Sequence, residues 1–283
     1  MIGFRLFSLA ALLMALLAFS TSQHTRAHAA EPETSSETPA ATNQDKIRVY
    51  ATAWGMTLAE DGTGFYNDLA RLVMGELMED IRYDLIPYRR ANRTFAQNNA
   101  SCHYPSTLNY MAATGIVEDT SDLIESYFFL RSVAHIFSPY GSKPVQEKAD
   151  VSGKVIAYPM GAEVPQLLDG YGASFIPVND ETGKADLLIN GRVELMIAYM
   201  PDVKFVFDSL NRILPPYDPT FTINDDNIAI VCHRTEATTA FINAVNDRVQ
   251  QLRDSGKLAS FLQENGLDPA YYLGALVRPT LGH

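Results

Sequence analysis

The sequence predicts an α/β protein of two lobes, a clamshell whose halves are joined by two crossing strands. Three observations predict it. Short apolar strands alternate with helices over residues 47–104 and again over 155–199. A long apolar stretch, 127–137, lies between the two runs. A second apolar strand, 228–232, follows them. Alternating strands and helices favour a parallel sheet. Ligands of open α/β sheets sit at the carboxyl ends of the strands, and two such lobes direct those ends into one shared cleft. Closing on a ligand is then a hinge motion about the crossing residues.

The first 29 residues read as an export signal. Arg5 supplies a positive start, residues 6–19 are almost wholly apolar, and Ala27-His28-Ala29 offers small side chains at a cleavage site, with Ala18-Phe19-Ser20 as a second candidate. The apolar run of fourteen residues is shorter than the roughly 18 needed to span a bilayer. No cysteine lies near either cut, so a lipid anchor on cysteine is not expected. Residues 30–45 carry Pro, Ser, Thr and Glu and no large apolar side chain. They cannot form a core and read as a disordered leader.

From Lys46 the texture becomes globular. Residues 47–53 form a strand ending at Trp54-Gly55. A polar loop, Glu60-Asp61-Gly62-Thr63-Gly64, leads into a helix on which Phe65, Leu69, Leu72, Val73 and Leu77 recur at helical spacing. Residues 82–86 are strand-like and stop at Pro87; 90–97 read as a helix; 100–104 form a strand stopped by Pro105. The pattern returns with a strand at 155–158, Gly161 and a helix to about residue 169, and a strand at 174–178. A helix capped by Asn179 or Asp180 then ends at Asn190-Gly191, and a strand at 195–199 is stopped by Pro201. A helix over 236–254 carries Phe241, Val245, Val249 and Leu252 on one face, and after Gly256 a short helix ends at Gly266. The expected organisation is 46–133 for the first lobe, 134–227 for the second, and 228–283 for the return strand and closing helices of the first.

Composition narrows the function. With 22 Lys and Arg against 33 Asp and Glu, the net charge of −11 disfavours nucleic acid and anionic membranes as partners. Two well-separated cysteines exclude zinc-finger spacing. Cys102-His103 and Cys232-His233 are not read as a metal site, because strand neighbours point to opposite faces. Catalytic triads, His-Glu-x-x-His, phosphate loops and dinucleotide fingerprints are lacking, so no cofactor is expected and binding is favoured over catalysis.

Six stretches, covering about 46–268, together resemble the bacterial extracellular solute-binding protein family 3, the type II periplasmic binding proteins of ABC importers. They are Gly64-Phe65-Tyr66-Asn67-Asp68-Leu69-Ala70, Pro87-Tyr88-Arg89-Arg90-Ala91, Val151-Ser152-Gly153-Lys154-Val155-Ile156-Ala157, Leu188-Ile189-Asn190-Gly191-Arg192-Val193-Glu194-Leu195, Ile228-Ala229-Ile230, and the turn at 252–256. The resemblance implies a periplasmic, monomeric protein that closes on a small solute and delivers it to a membrane permease. The same fold also carries a few enzymes, including prephenate-type dehydratases, and soluble sensors for membrane receptors; both stand as alternatives.

The departures from the family bear on the ligand. Amino-acid binders place an Arg shortly after the third strand, a Ser/Thr pair after the glycine of lobe two and an acid just before its proline. Here those places hold Ser106-Thr107-Leu108-Asn109-Tyr110, Ala162-Glu163 and Tyr199-Met200. The expected site is therefore aromatic, with Trp54, Tyr88, Tyr104 and Tyr199, joined by Thr107 and Gly161 and by Arg90 or Arg131 as the cationic group. It suits a small, partly apolar or cyclic solute better than a common amino acid. The family's sheet makes the third strand and the return strand neighbours, so the resemblance also implies a Cys102–Cys232 disulfide in an oxidising compartment.

Overall fold

The computed structural model of the chain describes residues 46–274. The expected export signal, the leader and the tail from 275 lie outside the described residues. No helix among the described residues is long and apolar enough to cross a membrane.

The first alternating run opens with β1 (Ile47–Ala53), four of whose consecutive residues are buried, as expected of a strand covered on both faces. Helix α1 (Phe65–Met74) turns Phe65, Tyr66, Leu69, Ala70 and Val73 inward. It starts at Gly64, whose φ is +103°, and where a Cβ would sit 2.4 Å from the Met56 carbonyl oxygen, so only glycine fits this corner. Next come β2 (Ile81–Pro87), α2 (Tyr88–Ala96) and β3 (Ser101–Ser106). Helix α3 (Leu108–Ala113) was not expected: it is six residues long, too short for a periodic signal, and is announced only by its cap, Thr107, whose Oγ1 accepts the Tyr110 N–H at 3.0 Å. Short β4 (Leu123–Glu125) precedes the first crossing strand, β5 (Leu130–Phe137), which is narrower than the 127–137 apolar stretch.

The second run is β6 (Val155–Pro159), α4 (Val164–Leu167), β7 (Ser174–Val178), α5 (Glu181–Ile189), β8 (Leu195–Met200) and α6 (Asp202–Ser209). Asp180 caps α5, accepting the Gly183 N–H at 2.7 Å. Pro201 was expected only to stop a strand. It is also the N-cap of α6, whose buried Val203, Val206 and Phe207 follow helical spacing. The chain returns on β9 (Asn224–His233), four residues earlier than its apolar core indicates, and closes with α7 (Glu236–Asp254), α8 (Lys257–Glu264) and α9 (Pro269–Tyr272).

All nine strands among the described residues belong to one hydrogen-bonded sheet, ordered β2-β1-β3-β9-β5-β8-β6-β7, with β4 added against β9. The outer trios, β2-β1-β3 and β8-β6-β7, are parallel. The middle is antiparallel, because β5 and β9 run between the lobes in opposite directions: Leu130 faces Ile228 and Ala134 faces Asn224. The far end of β9 pairs with β3, where Cys102 faces Cys232 and the two form a disulfide. The largest hydrophobic cluster runs from α1 and α7 through to α6, and Phe65 carries it across, its ring 4.9 Å from Phe205 and 5.4 Å from Phe261.

Candidate functional site

A cavity of about 430 Å³ lies where the carboxyl ends of the parallel strands of both lobes converge. The first lobe lines it with Trp54, Tyr66, Tyr88, Arg89, His103, Ser106, Thr107 and Tyr110. The second contributes Met160, Ala162, Glu181, Tyr199 and Asp202, and β9 contributes Asp226 and Asn227.

The lobes touch on either side of this space. On one side Asp202, at the start of α6, reaches across to the first lobe. Its Oδ1 accepts the Trp54 Nε1–H at 3.1 Å and the Thr57 hydroxyl at 2.5 Å, and its Oδ2 accepts the Tyr66 hydroxyl at 2.8 Å. Asp202 is 4% exposed. Burial pushes its pKa up, and the three donors hold it down. On the other side the Tyr88 hydroxyl meets that of Tyr110 and donates to the Gly161 carbonyl at 3.4 Å. Gly161 has φ +90°, and a Cβ there would stand 2.4 Å from the Tyr88 ring. Glycine is thus required both by the backbone and by the close approach of the lobes.

Deeper in, Glu181 pairs with Lys184 at 2.6 Å, and Lys184 also donates to the Ile197 carbonyl at 3.1 Å. Lys184 has no exposed surface; burial drives both members of the pair toward their neutral forms, against their mutual attraction. Asp226 accepts the Thr107 hydroxyl at 3.1 Å and the Asn227 N–H at 2.8 Å, and burial raises its pKa. The Tyr199 hydroxyl accepts from Asn224 at 3.2 Å, and burial lifts its pKa to about 12, so the phenol stays protonated. His103 is 1% exposed, and desolvation lowers its pKa to about 3. Its Nε2 lies 2.9 Å from Asn92 Oδ1, which makes Nε2 the donor and leaves Nδ1 as an acceptor. Nδ1 has no hydrogen-bond partner among the described residues; nor have Ser106 Oγ and Glu181 Oε2, also on cavity-lining residues.

Of the residues expected from sequence, Trp54, Tyr88, Thr107 and Tyr199 line the cavity, and Gly161 backs it through Tyr88. Three stand elsewhere. Tyr104 is wholly buried, its hydroxyl donating to the Tyr66 carbonyl at 2.8 Å: the period of two turns it away from the face that His103 lines. Arg90 is exposed and its neighbour Arg89 lines the rim instead, a one-residue error of phase on α2. Arg131 is held outside the cavity by a two-point pair with Asp225, the Nε–Oδ1 contact being 2.7 Å, and lies over the Tyr271 ring. Sequence reasoning missed Asp202, Glu181 and Asp226. The first two are helix starts just past strand ends, which is a readable signal; Asp226 owes its position to the path of β9.

No protein-family model matches this sequence, and no curated protein matches it. Solved structures do resemble it. The substrate binding protein of an amino acid ABC transporter is 15% identical with a TM-score of 0.58, covering 77% of this chain and 97% of its own. The GluR0 ligand-binding core from Nostoc punctiforme in complex with L-glutamate is 15% identical with a TM-score of 0.61, covering 77% and 98%. The ancestral amino-acid-binding protein AncCDT-1, a precursor of cyclohexadienyl dehydratase, is 13% identical with a TM-score of 0.58, covering 78% and 95%. At these identities the likeness is one of fold: the chain has the two-lobed type II periplasmic-binding-protein fold.

Proposed function

We propose that this chain is a periplasmic solute-binding protein that closes its lobes on a small molecule and presents it to an ABC importer. The observation that carries the reading is a cavity of about 430 Å³ bounded by both lobes, with Asp202 meeting Trp54 on one side and Gly161 meeting Tyr88 on the other. That volume suits a small ligand, and enclosure between two bodies joined by two strands is what a hinge-closing binder needs. In this reading Trp54, Tyr88, Thr107 and Tyr199 contact the solute, the lobes divide at about 133 and 227, and the export signal delivers the chain to its compartment.

Binding is proposed ahead of turnover because the sequence carries no catalytic triad, His-Glu-x-x-His, phosphate-loop or dinucleotide motif, and solved structures of this fold that resemble the chain include binding proteins such as the substrate binding protein of an amino acid ABC transporter. A thermal-shift screen over small metabolites identifies a ligand, since a solute at 100 times its dissociation constant stabilises by about 2.7 kcal/mol. Small-angle scattering then reads a smaller radius of gyration with that ligand than without it. A tight ligand that leaves the radius unchanged sinks the closing model, and turnover of prephenate or arogenate would replace binding by catalysis.

A further inference from the structure

Building on the solute-binding reading, we propose that the cleft takes an organic cation, a primary or quaternary ammonium on an apolar or aromatic body without an α-carboxylate, with Asp226 as its counter-charge. Three carboxylates line the cavity and one base, Arg89, lies exposed at its rim. Two of the acids are engaged: Glu181 by Lys184, and Asp202 by the three donors of the other lobe. Asp226 is not. It receives only the neutral Thr107 hydroxyl and the Asn227 N–H, and no Lys or Arg among the described residues forms an ion pair with it. Its charged neighbours are Asp225, itself paired with Arg131, and the half-buried Glu125. A largely buried carboxylate without a counter-charge is costly, and a bound cation removes that cost.

The remaining wall fits the same chemistry. Trp54, Tyr88, Tyr110 and Tyr199 line the cavity, and aromatic rings attract cations through their quadrupoles. His103 Nδ1, a lone-pair acceptor, and Ser106 Oγ are buried without partners beside them. A ligand carboxylate would instead bring a further negative charge among three acids, with Arg89 at the rim the one Lys or Arg among the described residues that lines the cavity and Lys184 already paired with Glu181.

Calorimetry tests this with five probes of one skeleton: phenethylamine, benzyltrimethylammonium, phenethyl alcohol, phenylacetate and phenylalanine, at about 20 and 200 mM salt. At least one of the two cations is expected to bind tenfold or more tighter than the alcohol and the acid, and to weaken at high salt. Asp226→Asn is expected to cost that cation at least tenfold. Should the variant fail to fold, the cation-to-alcohol ratio and its salt dependence in the wild type carry the test. Phenylacetate or phenylalanine binding more tightly than the cations overturns the inference and leaves solute binding standing. Unchanged cation affinity in a folded Asp226→Asn protein overturns the role of Asp226. If none of the five shifts the melting temperature the cation inference fails, and solute binding fails with it only if a general metabolite library is also silent.

Discussion

His103 is the residue whose behaviour is most easily separated from its surroundings. Burial lowers its pKa from 6.5 to about 3, so between those values the unfolded chain binds a proton that the folded chain does not. Stability is then lost as pH falls below about 6.5, at up to about 1.4 kcal/mol per unit. Urea unfolding at pH 7 and pH 5 should show the wild type losing about 2 kcal/mol more than His103→Gln over that interval. The comparison cancels the opposite slope from Glu125, whose pKa burial raises to about 7. Equal losses in the two proteins would mean that the imidazole protonates freely in the fold. At this scale the sequence was partly legible. Trp54, Tyr88 and Tyr199 follow strands or end them, and a strand end is visible in a sequence. Tyr104 and Arg90 failed by one position, because a strand alternates every residue and a helix turns about 100° per residue, so a small error of phase moves a side chain off the wall.

Elements with strong periodicity were legible: β1 to β3, β6 to β8, α5, α7 and α8 lie close to where the apolar pattern puts them. Helices α3 and α6 were not, since one is too short to repeat and the other begins on a proline that reads equally well as a strand terminator. That hidden helix carries the inter-lobe contact. Replacing Asp202 by alanine strands the buried Tyr66 and Thr57 hydroxyls in the closed form, at about 1–3 kcal/mol for each unsatisfied donor, while the Trp54 N–H keeps Thr57 Oγ1 at 2.8 Å. Ligand affinity should fall at least tenfold while the separate lobes stay folded by circular dichroism; affinity within a factor of two would show that the contact does not favour closure. Gly161→Ala should act from the opposite rim, pushing Tyr88 aside and weakening binding, and should also lower the unfolding midpoint because alanine is strained at φ +90°. The disulfide ties β3 to β9 across a sequence separation of 130. Replacing Cys102 and Cys232 by serine should cost about 2–5 kcal/mol, read by urea denaturation, whereas a variant as stable as the wild type would make the bond a passenger.

On the scale of the whole molecule, one sheet serves two bodies, and among the described residues its middle strands β5 and β9 are the ones they share. Asp226 lies on β9 within the segment paired to β5, so a ligand charge held there sits near the axis of any hinge, while Tyr88, Gly161, Trp54 and Asp202 lie at the moving rims. Substitutions near the axis should alter which solute binds; those at the rims should alter how completely the lobes close. The two classes separate when affinity and scattering are measured on the same variants. Trp54 has a further use. It is the only tryptophan in the chain, and its indole N–H donates to a carboxylate of the opposite lobe. The protein therefore carries a built-in optical reporter of its own closure. Indole emission is sensitive to such a contact, so rapid mixing with a ligand should give a fluorescence transient whose rate is that of the lobes coming together, with no label attached. A transient that survives Asp202→Ala unchanged in amplitude would show that the indole senses the solute and not the hinge.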